Sequence, residues 1–318
     1  MWIEENIRER RFDVDNNFDG WRLDQYLANR IDGMSRSQAG RIAKGGDVEV
    51  FPRRKIKAGT RLRDGDEVVI REHLEPEYVQ DDEVKIAYED AAMLVLNKPA
   101  GMLVHETAST RLNTVTHYLQ RQGMEDAHPV HRLDRETSGA LVCGRGPEAI
   151  RKLSEAFGGD GIGKTYRALV IDEEMRWSAG EEAVLRTPLG FEASSPLPHK
   201  VTRGDMEALT RAWWRGEVEP CEHGHRLVDL EVEIETGRQH QIRVHLAMEG
   251  TPIAGDKLYS ESDEFFMAIC DRPEDAELRE RLCFETHSLH AWRVSLDHPA
   301  GDRRVEVETT LPERFGDR

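Results

Sequence analysis

The nine residues His131-Arg132-Leu133-Asp134-Arg135-Glu136-Thr137-Ser138-Gly139 run without a break into the apolar stretch Ala140-Leu141-Val142-Cys143. An apolar run that follows turn-forming Thr-Ser-Gly predicts a buried strand, so the charged loop must be anchored at the edge of a core. Asp134 has Arg132 two residues before it and Arg135 directly after it. Cations at that range favour the ionised carboxylate, which suits nucleophilic or general-base work on an anionic substrate and suits acid catalysis poorly. Arg-x-Asp-Arg clusters also occur as solvated surface, so the spacing alone leaves both readings open.

A chain of 318 residues can bury a sizeable core and is expected to hold more than one domain. No stretch approaches the roughly 18 consecutive apolar residues of a membrane span. The start, Met1-Trp2-Ile3-Glu4-Glu5, lacks the basic and apolar regions of a secretion signal. A cytoplasmic protein without a membrane partner is therefore expected, and a monomer. Cys143, Cys221, Cys270 and Cys283 form no Cys-x-x-Cys pair, which points to reduced thiols. Cys221-Glu222-His223-Gly224-His225 raises a metal site, and with it a metal-dependent hydrolase, but Pro220 and Gly224 favour a hairpin tip. No metal is expected.

The net charge of −17 argues against a nucleic-acid partner only if it is evenly spread. It is not: between Gly20 and Arg63 eleven basic residues stand against four acidic ones, an excess of seven, so the remainder carries −24. Residues 1–19 read as an extended arm or an edge strand. From Trp21 the apolar residues Leu23, Tyr26, Leu27 and Ile31 recur at helical spacing, and a second helix is expected from a Ser35 cap to Gly45-Gly46. Its exposed face would carry Arg36, Arg41 and Lys44. A short strand at Val48-Glu49-Val50 follows, then a turn at Phe51-Pro52 beside Arg53 and Lys55, and a strand after Asp64-Gly65-Asp66. On Arg22-Leu23-Asp24, Ser35-Arg36-Ser37, Gly46-Asp47-Val48 and Asp64-Gly65-Asp66, residues 20–72 resemble the small RNA-binding domain named after ribosomal protein S-four. Phe51-Pro52 departs from the Asn-Gly that this family often has there. The acidic stretch 73–83 reads as a linker, and residues 84–318 as a second domain.

In that second domain Ile86–Asp90 and Met93–Leu96 read as paired strands, with Leu103-Val104-His105 returning beside them. Lys98, between Asn97 and Pro99-Ala100-Gly101, would either meet phosphate or be solvated. Helices are expected at 114–122 and 147–157. The glycines at 158–163 precede a strand, Thr165–Ile171, where a dinucleotide fingerprint would need a helix, so that reading is rejected. Tyr166 on the strand is either a core aromatic or a platform on which a base stacks. Ala208–Trp214 and Leu227–Ile234 read as paired strands. A helix beginning beside Gly237 would put Gln239 and Arg243 on one face, from which Arg243 could neutralise a carboxylate or remain at the surface.

Taken in order, Asn97-Lys98-Pro99-Ala100-Gly101, the His131–Gly139 stretch, Lys164-Thr165-Tyr166-Arg167-Ala168-Leu169-Val170, Thr236-Gly237-Arg238-Gln239-His240-Gln241-Ile242-Arg243, Gly255-Asp256-Lys257-Leu258-Tyr259 and Leu289-His290-Ala291-Trp292 resemble the RluA family of pseudouridine synthases. The likeness spans about residues 84–300. It implies an α+β fold: a small N-terminal RNA-binding domain and a catalytic domain built on a long, mainly antiparallel mixed sheet with flanking helices and a central cleft. It implies that Asp134 is the catalytic carboxylate, acting as nucleophile or base, that Arg132 helps extrude the target nucleotide, that Tyr166 lies against the flipped uracil, and that Arg243 partners Asp134. Tyr166 could also assist removal of the last proton from carbon 5. Lys98, His105, His131, Arg238 and His240 are the accompanying candidates for RNA contact. The reaction is an isomerisation without cofactor on structured RNA, with large-subunit ribosomal RNA favoured over transfer RNA. Gly161 and Thr286-His287-Ser288 depart from the basic residues that relatives often carry, which bears on RNA contact more than on chemistry. An RNA-binding or ribosome-assembly factor with a silent catalytic domain is the competing expectation, opposed by the intact set of Asp134, Arg132, Tyr166 and Arg243.

Overall fold

The computed structural model describes residues 1–31, 34–107, 109–159, 161–197 and 200–316. Asp160, in the glycine-rich stretch, and Asp32, in the basic segment, lie outside them. The chain divides into two compact units, Met1–Tyr78 and Val79–Arg318.

In the first unit the strands are β1 (Trp2–Ile3), β2 (Asn6–Asp13), β3 (Val48–Phe51), β4 (Glu67–Leu74) and β5 (Glu77–Tyr78), with helices α1 (Leu23–Arg30) and α2 (Arg36–Gly45) between β2 and β3. The apolar periodicity that predicts α1 buries Leu23, Tyr26 and Leu27 completely against Ala39, Val48, Val50, Leu62, Val68 and Ile70. Ser35 caps α2 in a reciprocal box with Gln38, and Gly46 at φ 97° ends it in the left-handed conformation that a side chain resists. The sheet order is β2-β4-β3. Residues 6–13, expected as an arm or an edge strand, are an edge strand paired with β4 from Asn6↔Leu74 to Asp13↔Glu67. The stretch expected as a linker instead carries secondary structure, ending in a 3-10 turn at Asp81–Glu83. β4 runs to Leu74, and Glu77–Tyr78 pair with Trp2–Ile3, because the backbone groups there find partners in neighbouring strands.

The second unit has β6 (Lys85–Glu89), β7 (Met93–Lys98), α3 (Val115–Arg121), β8 (Ala127–Pro129), β9 (Ser138–Arg145), α4 (Gly146–Gly158), β10 (Gly163–Ile171), β11 (Glu182–Leu185), β12 (Leu189–Phe191) and β13 (Val201–Arg203). There follow β14 (Thr210–Val218), β15 (Leu227–Ile234), α5 (Gln241–Met248), α6 (Asp263–Asp271), α7 (Ala276–Glu280), β16 (Leu289–Asp297) and β17 (Arg304–Glu308). One ten-stranded sheet runs β11-β14-β15-β10-β16-β9-β7-β6, with β17 beside β16 and β8 beside β9. Its pairs are antiparallel except β9 with β16, where His290 faces Ser138 and Ala291 faces Gly139. This is the expected mainly antiparallel mixed sheet in an α+β fold. Ala140–Cys143 of β9 are buried because the strand has neighbours on both edges and α4 on one face, with Ala149 and Leu153 turned inward. Leu103-Val104-His105 form no strand: only a bridge from Leu103 to Thr114 occurs. The hairpin expected at Cys221–His225 joins β14 to β15, with Gly224 at φ 80°.

Two apolar cores meet at the middle of the sheet. One surrounds β7, β9, α3 and α4, the other β10, β14, β15 and α5, and Tyr166 packs against both. The crossing from loop to β9 is tight. A Cβ at Gly139, whose φ is +107°, would lie 2.2 Å from the carbonyl oxygen of Ala291, so this position admits only glycine.

Candidate active site

The 131–137 loop is held from beneath by side chains the sequence presents as charged. Lys98 is fully buried, and its Nζ donates to the carbonyl oxygens of Pro99, Met102 and Arg135. Burial pushes its pKa down to about 7, but three carbonyls are served only by the charged amine, since a neutral one has two N–H groups. Lys98 is thus a structural tie and not the phosphate contact expected of it. His131 is likewise corrected. Its Nε2 accepts from the Val142 N–H at 2.9 Å and its ring stacks on Phe157 at 4.1 Å, while burial and then the charge of Lys164 push its pKa to about 3. A neutral clamp offers phosphate no charge. At the far end of the loop Thr137 Oγ1 meets His287 Nε2 and Ser138 Oγ meets His290 Nδ1, each at 2.8 Å.

Fixed this way, the loop presents Asp134 to a cleft of about 520 Å3 lined also by Arg132, Lys164, Tyr166, Arg238, His240 and Arg243. That volume lies within the range of roughly 300–1,000 Å3 usual for small-molecule sites. The Asp134 side chain is 23% exposed, and its Oδ2 accepts from Arg243 Nη1 at 2.9 Å. Arg243 comes from α5, and its other edge bonds Asp256, Nε to Oδ2 at 2.7 Å and Nη2 to Oδ1 at 3.0 Å. Asp256, completely buried, also accepts from the Leu258 and Tyr259 N–H groups. Burial works against both carboxylates, but the guanidinium between them wins. It holds Asp134 below the ordinary carboxylate range and Asp256 at about 2. His240 Nε2 stands 3.8 Å from Asp134 Oδ2, and burial followed by the Arg243 charge keeps that imidazole neutral, with a pKa of about 4.

Tyr166, near the start of β10, forms part of the cleft wall, and burial followed by the Asp134 charge pushes its phenol further up, so the ring is neutral. Arg132 is exposed, with no ion pair among the described residues, and its charge depresses the pKa of exposed His105 after burial does. Arg238 is exposed at the cleft and donates through Nε to the Glu207 carbonyl. In an acidic chain the charged side chains of the cleft wall are thus mostly cationic: Arg132, Lys164, Arg238 and Arg243 stand around the Asp134 carboxylate.

The structure brings Asp134, Arg132, Tyr166, Arg243, Arg238 and His240 together and sets Lys98 and His131 beneath them. In the first unit Arg36, Arg41, Lys44, Arg53 and Lys55 are all exposed. Arg36 lies 3.6 Å from Asp24 and Arg53 2.7 Å from Glu49, whereas Arg41, Lys44 and Lys55 have no ion pair among the described residues. Gln239 does not share a helix face with Arg243. His240 adopts φ 55°, so the helix starts one residue later, at Gln241. Asp256 and Tyr259 were visible only within the Gly255–Tyr259 motif of the resemblance, since their side-chain partners Arg243 and His240 lie on or beside α5, outside that turn. His223 and His225 belong to no metal-binding cluster among the described residues.

Residues 92–248 match the model of a family described as RNA pseudouridylate synthase. Ribosomal large subunit pseudouridine synthase D of Pseudomonas aeruginosa is 31% identical, over 96% of this chain and 93% of its own. The protein of the same name from Vibrio cholerae is 30% identical, over 92% and 89%. Among solved structures, human RNA pseudouridylate synthase domain containing 1 aligns with a TM-score of 0.57 at 23% identity, covering 74% of this chain and 86% of that one, a likeness of fold. With near full-length similarity to such relatives, and with a loop, cleft and sheet that match the sequence motifs, the chain belongs to the RluA-type RNA pseudouridine synthases, enzymes that isomerise uridine to pseudouridine in RNA.

Proposed function

We propose that the substrate is large-subunit ribosomal RNA, as the names of the relatives suggest, and that Asp134 is the carboxylate that acts on the target nucleoside. The observation that carries this reading is the Asp134 carboxylate itself: ionised, open to a nucleoside-sized cleft, and anchored through one oxygen by Arg243. In the reaction the bond from the ribose C1′ to N1 breaks and one to C5 forms, while C5 loses a proton and N1 gains one. Nothing is oxidised, so no cofactor enters the proposal. A uridine within a stem is out of reach unless flipped, at a cost of a few kcal/mol. Exposed Arg132 would fill the space left in the RNA, and the Tyr166 ring would stack on the uracil. The raised pKa of Tyr166 favours this stacking role over that of a phenolate base.

In the same reading residues 20–72 form an S-four-type RNA-binding domain, with Arg36, Arg41, Lys44, Arg53 and Lys55 as phosphate contacts, Arg238 and His105 as RNA contacts at the catalytic cleft, and His240 beside Asp134 there. In this reading the enzyme works as a cytoplasmic monomer. Among the described residues no helix is long and apolar enough to cross a membrane. The test is a map of pseudouridines in ribosomal and transfer RNA from cells carrying Asp134→Asn in place of the natural chain. Loss of modification at one or more large-subunit sites is expected. Unchanged modification throughout refutes the assignment of Asp134, and loss confined to transfer RNA refutes that of the substrate.

A further inference from the structure

The role of Asp134 depends on which of its two oxygens is free to react, and the surroundings of His240 bear on that. His240 caps α5 in the left-handed region, at φ 55°, and its ring lies between Asp134 and Tyr259. Its Nδ1 lies 2.8 Å from the hydroxyl of Tyr259, the two rings meeting edge to face at 5.6 Å. That hydroxyl oxygen also accepts from the Val201 N–H on β13, at 3.0 Å. The backbone of Tyr259 is in turn fixed by Asp256, the same carboxylate that grips Arg243.

These contacts favour one tautomer of the imidazole. With the Tyr259 oxygen already accepting from Val201, its own hydrogen is best donated to His240 Nδ1, which puts the ring hydrogen on Nε2. In the other tautomer the phenol hydrogen would have no partner on His240, and an Nε2 lone pair would face the Asp134 carboxylate. Arg243 Nη1, at 2.9 Å, and His240 Nε2, at 3.8 Å, both address Oδ2 of Asp134. Oδ1 accepts no hydrogen bond among the described residues.

We propose that His240 is a positioning residue for the isomerisation: oriented by Tyr259 in its Nε2–H tautomer, it closes on Oδ2 of Asp134 when RNA is bound and leaves Oδ1 as the reacting oxygen. This rests on the reading of Asp134 given above. A separation of 3.8 Å is beyond a hydrogen bond, and contacts of this kind tighten in substrate complexes. Because the ring is neutral, it orients the carboxylate without adding a second cation, which would lower the reactivity of the oxygen left free.

The test uses the full chain with 15N-labelled histidine and an unmodified transcript of large-subunit ribosomal RNA. His240→Asn and His240→Gln form a matched pair. Asn tolerates the left-handed backbone but is too short to reach Oδ2, whereas the Gln amide extends about as far as the imidazole. The wild-type NMR spectrum, with the His240 signal assigned by its loss in His240→Asn, should show the hydrogen on Nε2, and Tyr259→Phe should mix the two tautomers. In single-turnover conversion at saturating enzyme, His240→Asn and Tyr259→Phe should be slowed about tenfold or more, the loss of one hydrogen bond to a charged group, with the half-saturating concentration unchanged. His240→Gln should recover most of that rate. A wild-type hydrogen on Nδ1, full speed in His240→Asn, or equal slowing in the Gln and Asn variants overturns the proposal. If Asp134→Asn is inactive in the same assay while His240→Asn is not slowed, only the role of His240 fails. If Asp134→Asn turns over at the wild-type rate, the assignment of Asp134 fails and the role of His240 goes with it.

Discussion

Replacing Arg243 with Met keeps much of the side-chain volume and removes the one charge shared by two carboxylates. Arg243 is 9% exposed and gives two hydrogen bonds to fully buried Asp256 and one to Asp134. Removing one partner from a buried ion pair typically destabilises by about 3–5 kcal/mol, because the remaining charge is left in a poor solvent. The structure supplies a second figure. Asp256 titrates at about 2 instead of 3.8, so at neutral pH its pairing, net of burial, contributes about 2 kcal/mol. The larger value is expected for Arg243→Met, since the variant loses the pairing and keeps the burial. The pH dependence follows from the sign of the shifts. In the wild type the lowered pKa makes a contribution that is complete above pH 3.8 and fades as pH falls toward 2. In the variant the Asp256 pKa rises above its ordinary value, so the deficit relative to wild type is greatest at neutral pH and shrinks on acidification. Urea unfolding at several pH values measures this directly. Arg243→Met combined with Asp256→Asn removes the unpaired charge and should restore much of the stability. It should not restore turnover, because Asp134 still lacks its partner. A deficit that stays constant with pH, or turnover that returns with the second substitution, would refute the reasoning.

Gly139→Ala would place a methyl group 2.2 Å from the Ala291 carbonyl at a positive φ, and a loss of at least about 2 kcal/mol is expected by urea unfolding. An unchanged midpoint would mean that β9 and β16 are not held at this separation. Tyr166→Leu should weaken conversion by about 1–3 kcal/mol, the worth of one base stacked on an aromatic ring, while Tyr166→Phe keeps the ring and most of the rate. Equal loss in the two variants, read in single-turnover assays, would point to the hydroxyl instead. Changing Arg41, Lys44 and Lys55 together to Gln should lower the slope of log affinity against log salt by about 2–3, as three phosphate contacts would. A filter-binding titration with ribosomal RNA that keeps the original slope would remove them from the interface.

Much of the fold could be read from local patterns. The period of Leu23, Tyr26 and Leu27, the Ser35 cap with Gly46 at the other end of α2, and the unbroken run Ala140–Cys143 each predict an element that the structure contains, because neighbours along the chain set helix caps and strand burial. Asp134 and Arg243 were legible as a pair only through the resemblance, since the residues between them give no sign of a contact. Sequence was misleading where a polar side chain turned inward. Lys98 and His131 look like surface charges, yet one ties three carbonyls and the other clamps a strand while neutral. Burial decides the state of such groups, and burial depends on elements that arrive from elsewhere in the chain.

The sequence by itself determined the order of the elements, the reactive loop and the uneven charge, all of which depend on residues close together along the chain. Only the tertiary structure decided which groups surround Asp134. Arg243, Asp256, Tyr259 and His240 reach it, directly or through one another, because β9, α5 and the turn after it converge at the middle of one sheet, and a contact across more than a hundred residues leaves no local signature.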